Sequence, residues 1–266
     1  MFPRAFPKFF RACYKNLNMK TETYFLSDIH LKNMDHPDAE ILSGFLERFG
    51  PGIQASHLFL LGDIFDFWLG GHEYFIQRYS PIVDHLRRIV ANGVEVHYFE
   101  GNHDLYLRDF WQCQLGIRVH DDAHLFQLGD LKVRVEHGDL LDPADRGYRF
   151  LRWLLRTPLI AQAGSRLPGG LLARIGRVAS RTSRRYTSEH KTISDEGARS
   201  TVRRHAERVV REEPFDLMIT GHVHVRDDYE FEYAGRTIRS VNLGSWQASP
   251  CAFKITNTCQ EFIELP

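Results

Sequence analysis

The chain has 266 residues, 43% of them hydrophobic and 12% aromatic, with 34 basic side chains balanced by 34 acidic ones. That is enough apolar material for a large core and near the upper size of one domain, so a single domain with an insertion is expected. Zero formal charge gives no support to a global polyanion-binding role, and no run approaches the ~18 uninterrupted apolar residues of a membrane span.

Residues 1–20 carry Arg4, Lys8, Arg11, Lys15 and Lys20 without an acid, while Pro3 and Pro7 interrupt Phe2, Phe6, Phe9 and Phe10. Lacking a continuous apolar stretch, this segment reads as a flexible basic leader or an upstream start, with Met19 as a second candidate start, rather than as a signal peptide. The remaining 21–266 reads as the domain. Cys13, Cys113, Cys251 and Cys259 form no C-x-x-C pair, which suits reduced thiols in a cytoplasmic protein.

Along the domain, Tyr24 to Ser27 is a short apolar run that enters a polar loop, and Ile41, Leu42, Phe45, Leu46 and Phe49 then recur at helical spacing. Leu58 to Leu61 repeats the strand pattern, and Ile82, Val83, Leu86, Ile89 and Val90 mark a second helix stopped by Asn92-Gly93. Val94 to Phe99 and Leu131 to Val135 predict strands, and Leu217 to Ile219 is a buried strand after a helix containing Val202, Val209 and Val210. Tyr229 to Tyr233 and Thr237 to Val241 flank the turn Ala234-Gly235 as a hairpin, with Ala252 to Thr256 and Glu261 to Leu265 as further antiparallel strands. The sum predicts an α/β sandwich of two mixed sheets flanked by helices.

One segment, about 143–194, stands apart. Between Arg146 and Lys191 eleven basic residues face the single acid Glu189, interleaved with Phe150, Leu151, Trp153, Leu154, Leu155, Leu159, Ile160, Leu171, Leu172 and Ile175. Pro158 and Pro168-Gly169-Gly170 divide it into short helices, so it reads as an inserted helical cap. Solvated helix faces usually mix both signs of charge. The acid-poor, Trp-containing composition therefore favours contact with a phosphorylated, acylated ligand or an anionic membrane surface over simple packing on the core.

The chemistry is carried by Asp28-Ile29-His30, Gly62-Asp63-Ile64-Phe65-Asp66, Gly101-Asn102-His103-Asp104, His137-Gly138-Asp139 and Gly221-His222-Val223-His224. Each follows a predicted strand, and loops beyond the carboxyl ends of strands in α/β sheets converge on one crevice. Carboxylate and amide oxygens mixed with imidazoles suit Mn²⁺, Fe²⁺ or Zn²⁺. They are too many for one ion, whereas two ions sharing a carboxylate would use them all. Histidines outside these blocks, such as His36, His57 and His205, are read as ordinary solvated side chains.

In this order the five blocks resemble the calcineurin-like metallophosphoesterase superfamily. The resemblance implies that Asp28, His30, Asp63 and His224 hold one divalent metal, and that Asp63, Asn102, His137 and His222 hold the other, with Asp63 bridging. It also implies a metal-bridging hydroxide as nucleophile, manganese as the first choice of metal, His103 protonating or stabilising the leaving oxygen, and Asp104 orienting His103.

Within the superfamily the chain is similar to the UDP-2,3-diacylglucosamine pyrophosphohydrolases of lipid A biosynthesis. The likeness is carried by Gly62 to Trp68, by His137-Gly138-Asp139 leading through Asp145 to Gly147-Tyr148, by the helical insertion, and by Asn242-Leu243-Gly244-Ser245-Trp246. It implies hydrolysis to UMP and a 2,3-diacylglucosamine 1-phosphate, with Asn102, His103, Asp145, Tyr148, Lys191 and His222 at substrate-contact positions. It also implies a cytoplasmic enzyme peripheral to the inner face of the membrane. Two positions depart from the best-known branch of that family. His103 stands where that branch has arginine, and Gly221-His222-Val223-His224-Val225-Arg226 replaces Gly-His-Thr-His-Arg-Pro. A phosphodiesterase of another nucleotide or lipid phosphate is therefore the competing reading. A nucleic-acid substrate is disfavoured by the greasy cap and the zero net charge.

Overall fold

A computed structural model of the chain describes residues 16–17, 22–50, 55–176, 178 and 194–266. Two six-stranded sheets face each other. The first has the order β14-β13-β2-β3-β5-β7 and the second β1-β8-β9-β10-β12-β11. In the first sheet β2 (Glu22–Leu26), β3 (Ala55–Leu60), β5 (Glu95–Phe99) and β7 (Arg118–His120) run parallel, and β13 (Cys251–Ile255) and β14 (Gln260–Glu264) close the edge antiparallel. In the second, β9 (Leu131–Val135), β10 (Leu217–Thr220) and β12 (Arg236–Asn242) are parallel, flanked by β8 (His124–Leu128) and β11 (Asp227–Tyr233). β1 (Asn16–Leu17), the described piece of the leader, pairs with Gln127 and Leu128.

The parallel strands read as continuous apolar runs because both their faces are buried. Phe25, Phe59, Leu61, Phe99, Phe126, Val133, Val135, Ile219, Val241 and Phe253 fill the layer between the sheets. The outer face of the first sheet is covered by α1 (Pro37–Glu47), α2 (Glu73–Arg78) and α3 (Ser80–Ala91), whose Leu42, Phe45, Phe75, Ile82 and Leu86 join a second cluster. The outer face of the other sheet is covered by the long helix Asp195–Glu212 through Val202, Ala206, Val209 and Val210. Two short strands, β4 (Trp68–Leu69) and β6 (Asp104–Leu105), pair beside the loops, followed by a π-helical turn at Arg108–Gln112. The hairpin turn has Ala234 at φ 52° and Gly235 at φ 76°.

The insertion forms α4 (Arg146–Leu155), α5 (Pro158–Arg166) and a helical stretch at 169–176. None of the side chains of α4 is buried, and Phe150 and Trp153 are each 62% exposed. Lys191 and residues 179–193 lie outside the described residues, as does most of the basic leader. No helix among the described residues is long and apolar enough to cross a membrane.

His57 and His205 are not solvated. Both are buried, His57 between the sheets and His205 against Glu136, because parallel strands and packed helices bury residues that no motif marks. His36 caps α1, accepting the amide of Asp38.

Candidate metal centre

The five motifs leave the carboxyl ends of β2, β3, β5, β9 and β10, the parallel strands of both sheets. Turning sharply there puts non-glycine residues into the left-handed region: Asp28 (φ 51°), His30 (50°), Asp63 (52°), His222 (69°) and His224 (58°). Each such residue costs about 1–3 kcal/mol, a strain that persists where the surrounding structure enforces it and that concentrates at functional sites. The backbone of one turn supports the next, with Asp28 N–H donating to Gly62 O at 3.2 Å and His30 N–H to Asp63 O at 2.9 Å. Glycine is required at two points by proximity. A Cβ on Gly101 would collide with the Asp63 carboxylate and backbone, and one on Gly221 with Ser27 and Asp28.

Two buried groups result. Asp28, His30 and His224 form one, and Asp63, His137 and His222 the other, with the candidate ligand atoms of each within 4.8 Å of one another. Asp63 lies between them. Its Oδ2 is 3.9 Å from His30 Nε2, 3.9 Å from His103 Nε2 and 3.7 Å from His137 Nε2. Asn102 joins the second group, its Oδ1 3.3 Å from His137 Nε2.

These residues fit a pair of divalent cations. His137 Nδ1 donates to the Leu61 carbonyl at 2.6 Å and His103 Nδ1 to the Asp66 carbonyl at 2.8 Å, so each ring turns Nε2 inward. The Nε2 atoms of His30 and His224 face each other at 3.0 Å, and the buried Asp28 Oδ1 stands 3.2 Å from His224 Nε2. Lone pairs aimed at common points are the arrangement a cation completes. Burial works to raise both carboxyls. It is outweighed at Asp28 by the hydrogen bond and charge of His224, and at Asp63 by His103, His137 and His30, so both are held below the usual carboxylate range. Burial pulls His30 and His222 down to about 4, which keeps their rings neutral and able to act as ligands.

No protein-family model matches the chain. Curated relatives do. A UDP-2,3-diacylglucosamine hydrolase of Photorhabdus laumondii is 30% identical over 250 residues, 92% of this chain and 99% of that protein. Another, from Aeromonas salmonicida, is 31% identical over 235 residues, 84% of this chain and 85% of its own length. The chain belongs to the UDP-2,3-diacylglucosamine hydrolase family. Among solved structures, an archaeal phosphodiesterase covers 92% of this chain at a TM-score of 0.44 and 12% identity, with 99% of its own chain aligned. Entamoeba histolytica Vps29 with zinc covers 92% at 0.40 and 14%, with 99% of its own chain aligned.

Of the family-derived roles, the orientation of His103 by Asp104 is corrected. Asp104 is fully buried and accepts from Ile64 N–H at 2.9 Å and Tyr98 O–H at 2.8 Å, while the His103 ring is held by the Asp66 carbonyl. Its carboxyl is pushed up to about 8, first by burial and then by the charge of Asp63. Asp104 therefore braces the loop that carries Asp63. Asp66 contributes more than its carbonyl, since its carboxylate groups with His30 and His103; its place three residues after Asp63 was the signal for it.

Asp145 caps α4, accepting the Tyr148 amide at 2.9 Å. Tyr148 hangs its ring 6.1 Å from that of His222 and donates its hydroxyl to Asp139 Oδ2 at 2.7 Å. Asp139 also takes Arg152 Nε at 2.7 Å, so it ties the His137 loop to α4. The Asn242-Leu243-Gly244-Ser245-Trp246 stretch holds the Asp28 and Gly221 turns. Asn242 donates to Gly221 O at 2.6 Å, and Ser245 donates to Asp28 O at 3.2 Å. A recess of about 390 Å³ opens along α4, lined by Leu140, Arg149, Arg152, Trp153, Arg156, Thr157 and Pro158.

Proposed function

We propose that the chain hydrolyses the pyrophosphate of UDP-2,3-diacylglucosamine, releasing UMP and 2,3-diacylglucosamine 1-phosphate. The observation that carries the reaction type is the Asp63 carboxylate standing between two buried carboxylate–imidazole groups, in a chain whose relatives bear that activity in their names.

In this reading Asp28, His30, Asp63 and His224 hold one divalent ion and Asp63, Asn102, His137 and His222 the other. Manganese is the first candidate, with iron or zinc as alternatives. When bound, such a pair supplies a nucleophile at neutral pH and neutralises charge on the phosphoryl oxygens. The protein does the rest. Asn102 offers an amide to a phosphoryl oxygen, and Asp63 stays ionised at the centre. His103, fixed through Nδ1, presents Nε2 to the bridging oxygen of the pyrophosphate and gives a proton to the departing sugar phosphate. Tyr148, with Asp145 at its helix end, borders the site on the side of α4, and Lys191 is proposed as a further contact to the same substrate.

The exposed Phe150, Leu151, Trp153 and Leu154, beside the arginines of the α4 recess, suit acyl chains and a sugar phosphate. With Leu159 and Ile175 they also suit a cap dipped into an anionic membrane surface, which is where a diacylated substrate resides. His103, in place of the arginine of the best-known branch, favours one second reading, a phosphodiesterase of another nucleotide or lipid phosphate.

Incubation of the Mn²⁺-loaded protein with UDP-2,3-diacylglucosamine in ¹⁸O water separates the two. Label in UMP is expected. Turnover of a simple phosphodiester without turnover of the lipid would replace the first reading by the second.

A further inference from the structure

The amino-terminal ends of the same strands carry a second cluster. β3 and β5 pair in register with His57 opposite Glu95 and Phe59 opposite His97. Side chains alternate along a strand, so His57 with Phe59, and Glu95 with His97 and Phe99, project from one face into the layer between the sheets. His97 stacks against β3 there, its ring 4.5 Å from Phe59 and 6.0 Å from the ring of His57. Asp63 is six residues beyond His57, and at about 3.3 Å per residue this end lies ~20 Å from the metal centre.

His57 is 4% exposed and His97 1% exposed. The Nδ1 of His57 meets Ser56 Oγ at 2.7 Å, and that of His97 meets His120 Nε2 at 3.0 Å. The Nε2 atoms of both are buried and without a hydrogen-bond partner. One nitrogen of each ring and a carboxylate oxygen of Glu95 fall within 4.8 Å of one another. Two orphaned ring nitrogens in one buried place are costly unless something completes them, since a buried polar group without a partner costs about 1–3 kcal/mol. Nδ1 engaged and Nε2 bare is also how a metal-ligating histidine is held.

We infer that His57, Glu95 and His97 form a further cation site, selective for a divalent ion of the zinc type. Two imidazoles and one carboxylate are a borderline donor set that leaves a fourth position for water, and an all-oxygen magnesium or calcium site is a different chemistry. Burial holds His57 down to about 4 and His97 well below its ordinary value, so both rings are neutral and available at physiological pH. The mouth of the site is at Glu95, whose side chain is 38% exposed and ion-paired with Arg118 of β7. Arg118, itself 40% exposed, turns to solvent as the ion takes the carboxylate. The bound ion ties β3 to β5 at the end of the sheet opposite the catalytic loops, which makes it a structural ion.

The test is metal counting on the full chain. Wild type, His57→Gln and Glu95→Gln are saturated with Zn²⁺, freed of excess by gel filtration, and analysed for zinc per chain, with turnover measured on the same samples after reloading with Mn²⁺. Wild type is expected to hold one ion more than either variant, with turnover unchanged within about twofold. Co²⁺ substitution should show a matching loss of visible absorption. Equal zinc content in wild type and Glu95→Gln overturns the three-ligand site. So does turnover that falls in step with the lost ion, because that places the ion in the catalytic centre. Should His57→Gln fail to fold, Glu95→Gln, altered only at the half-exposed mouth, decides alone.

Discussion

Asp28 Oδ2 accepts the backbone N–H of His222 at 2.8 Å, joining the turn after the first strand of one sheet to the turn after a central strand of the other. The same carboxylate presents Oδ1 3.2 Å from His224 Nε2. One oxygen therefore builds the site and the other serves it. Asp28→Asn can keep the first bond through its amide oxygen while setting an N–H where the ligand oxygen stood. We expect a folded protein that has lost one of its two catalytic ions and at least ~10²-fold in turnover, the scale of removing one charge-stabilising group. Metal analysis beside circular dichroism checks it, and retention of both ions contradicts the role.

His103 and Asp63 should separate cleanly. His103→Ala leaves both cation groups intact, so metal content is unchanged and kcat falls by about 10²–10⁴-fold, the usual contribution of a positioned proton donor. Asp63→Ala removes the shared carboxylate, and both metal and activity are lost. Equal metal loss in the two variants would refute the assignment.

Asp139 was part of a motif without a role, and its position supplies one. Asp139→Asn leaves the half-buried Arg152 facing an amide in place of a carboxylate and weakens the tie of α4 to the His137 loop. A loss of about 1–3 kcal/mol in denaturant unfolding is expected, with a raised KM for the lipid. Stability within about 0.5 kcal/mol of wild type would show that the tie is idle.

Trp153 is largely exposed, so Trp153→Ala should fold normally. Its KM for a long-chain substrate should rise about tenfold, the equivalent of ~1.4 kcal/mol of lost apolar contact, with no change for a water-soluble diester. A parallel rise for both substrates would remove the cap from lipid binding.

The histidines between the sheets make stability acid-sensitive. Burial lowers His57 to about 4 and His120 to about 3, with His124 lowering His120 further. In the unfolded chain they titrate near 6.5. Their contribution is therefore fully present above about pH 6.5 and is lost as pH falls toward the folded values, because the unfolded state then binds more protons. The thermal midpoint of chelator-treated protein should drop between about pH 6.5 and 4, and less steeply in His120→Asn. A flat midpoint in that window excludes this account.

The primary structure alone determined the strand-loop-helix rhythm, the five strand-end motifs and the acid-poor cap, because each is a local signal: an apolar run, a glycine beside a ligand-type side chain, a one-sided charge count. It also placed Asp28, His30, Asp63, Asn102, His137, His222 and His224 together, since parallel strands deliver their loops to one edge. Only the tertiary structure decided which partner each side chain takes. Asp104 turned from His103 to Tyr98 and Ile64, and Asp139 reached across to α4. His57 and His97 came to share a buried face because β3 lies beside β5 in one particular register. The three-residue β7 and the ladder of β8 likewise exist through their neighbours. Hydrogen-bond partners and burial depend on residues tens to hundreds of positions away, and periodicity within one segment carries no record of them.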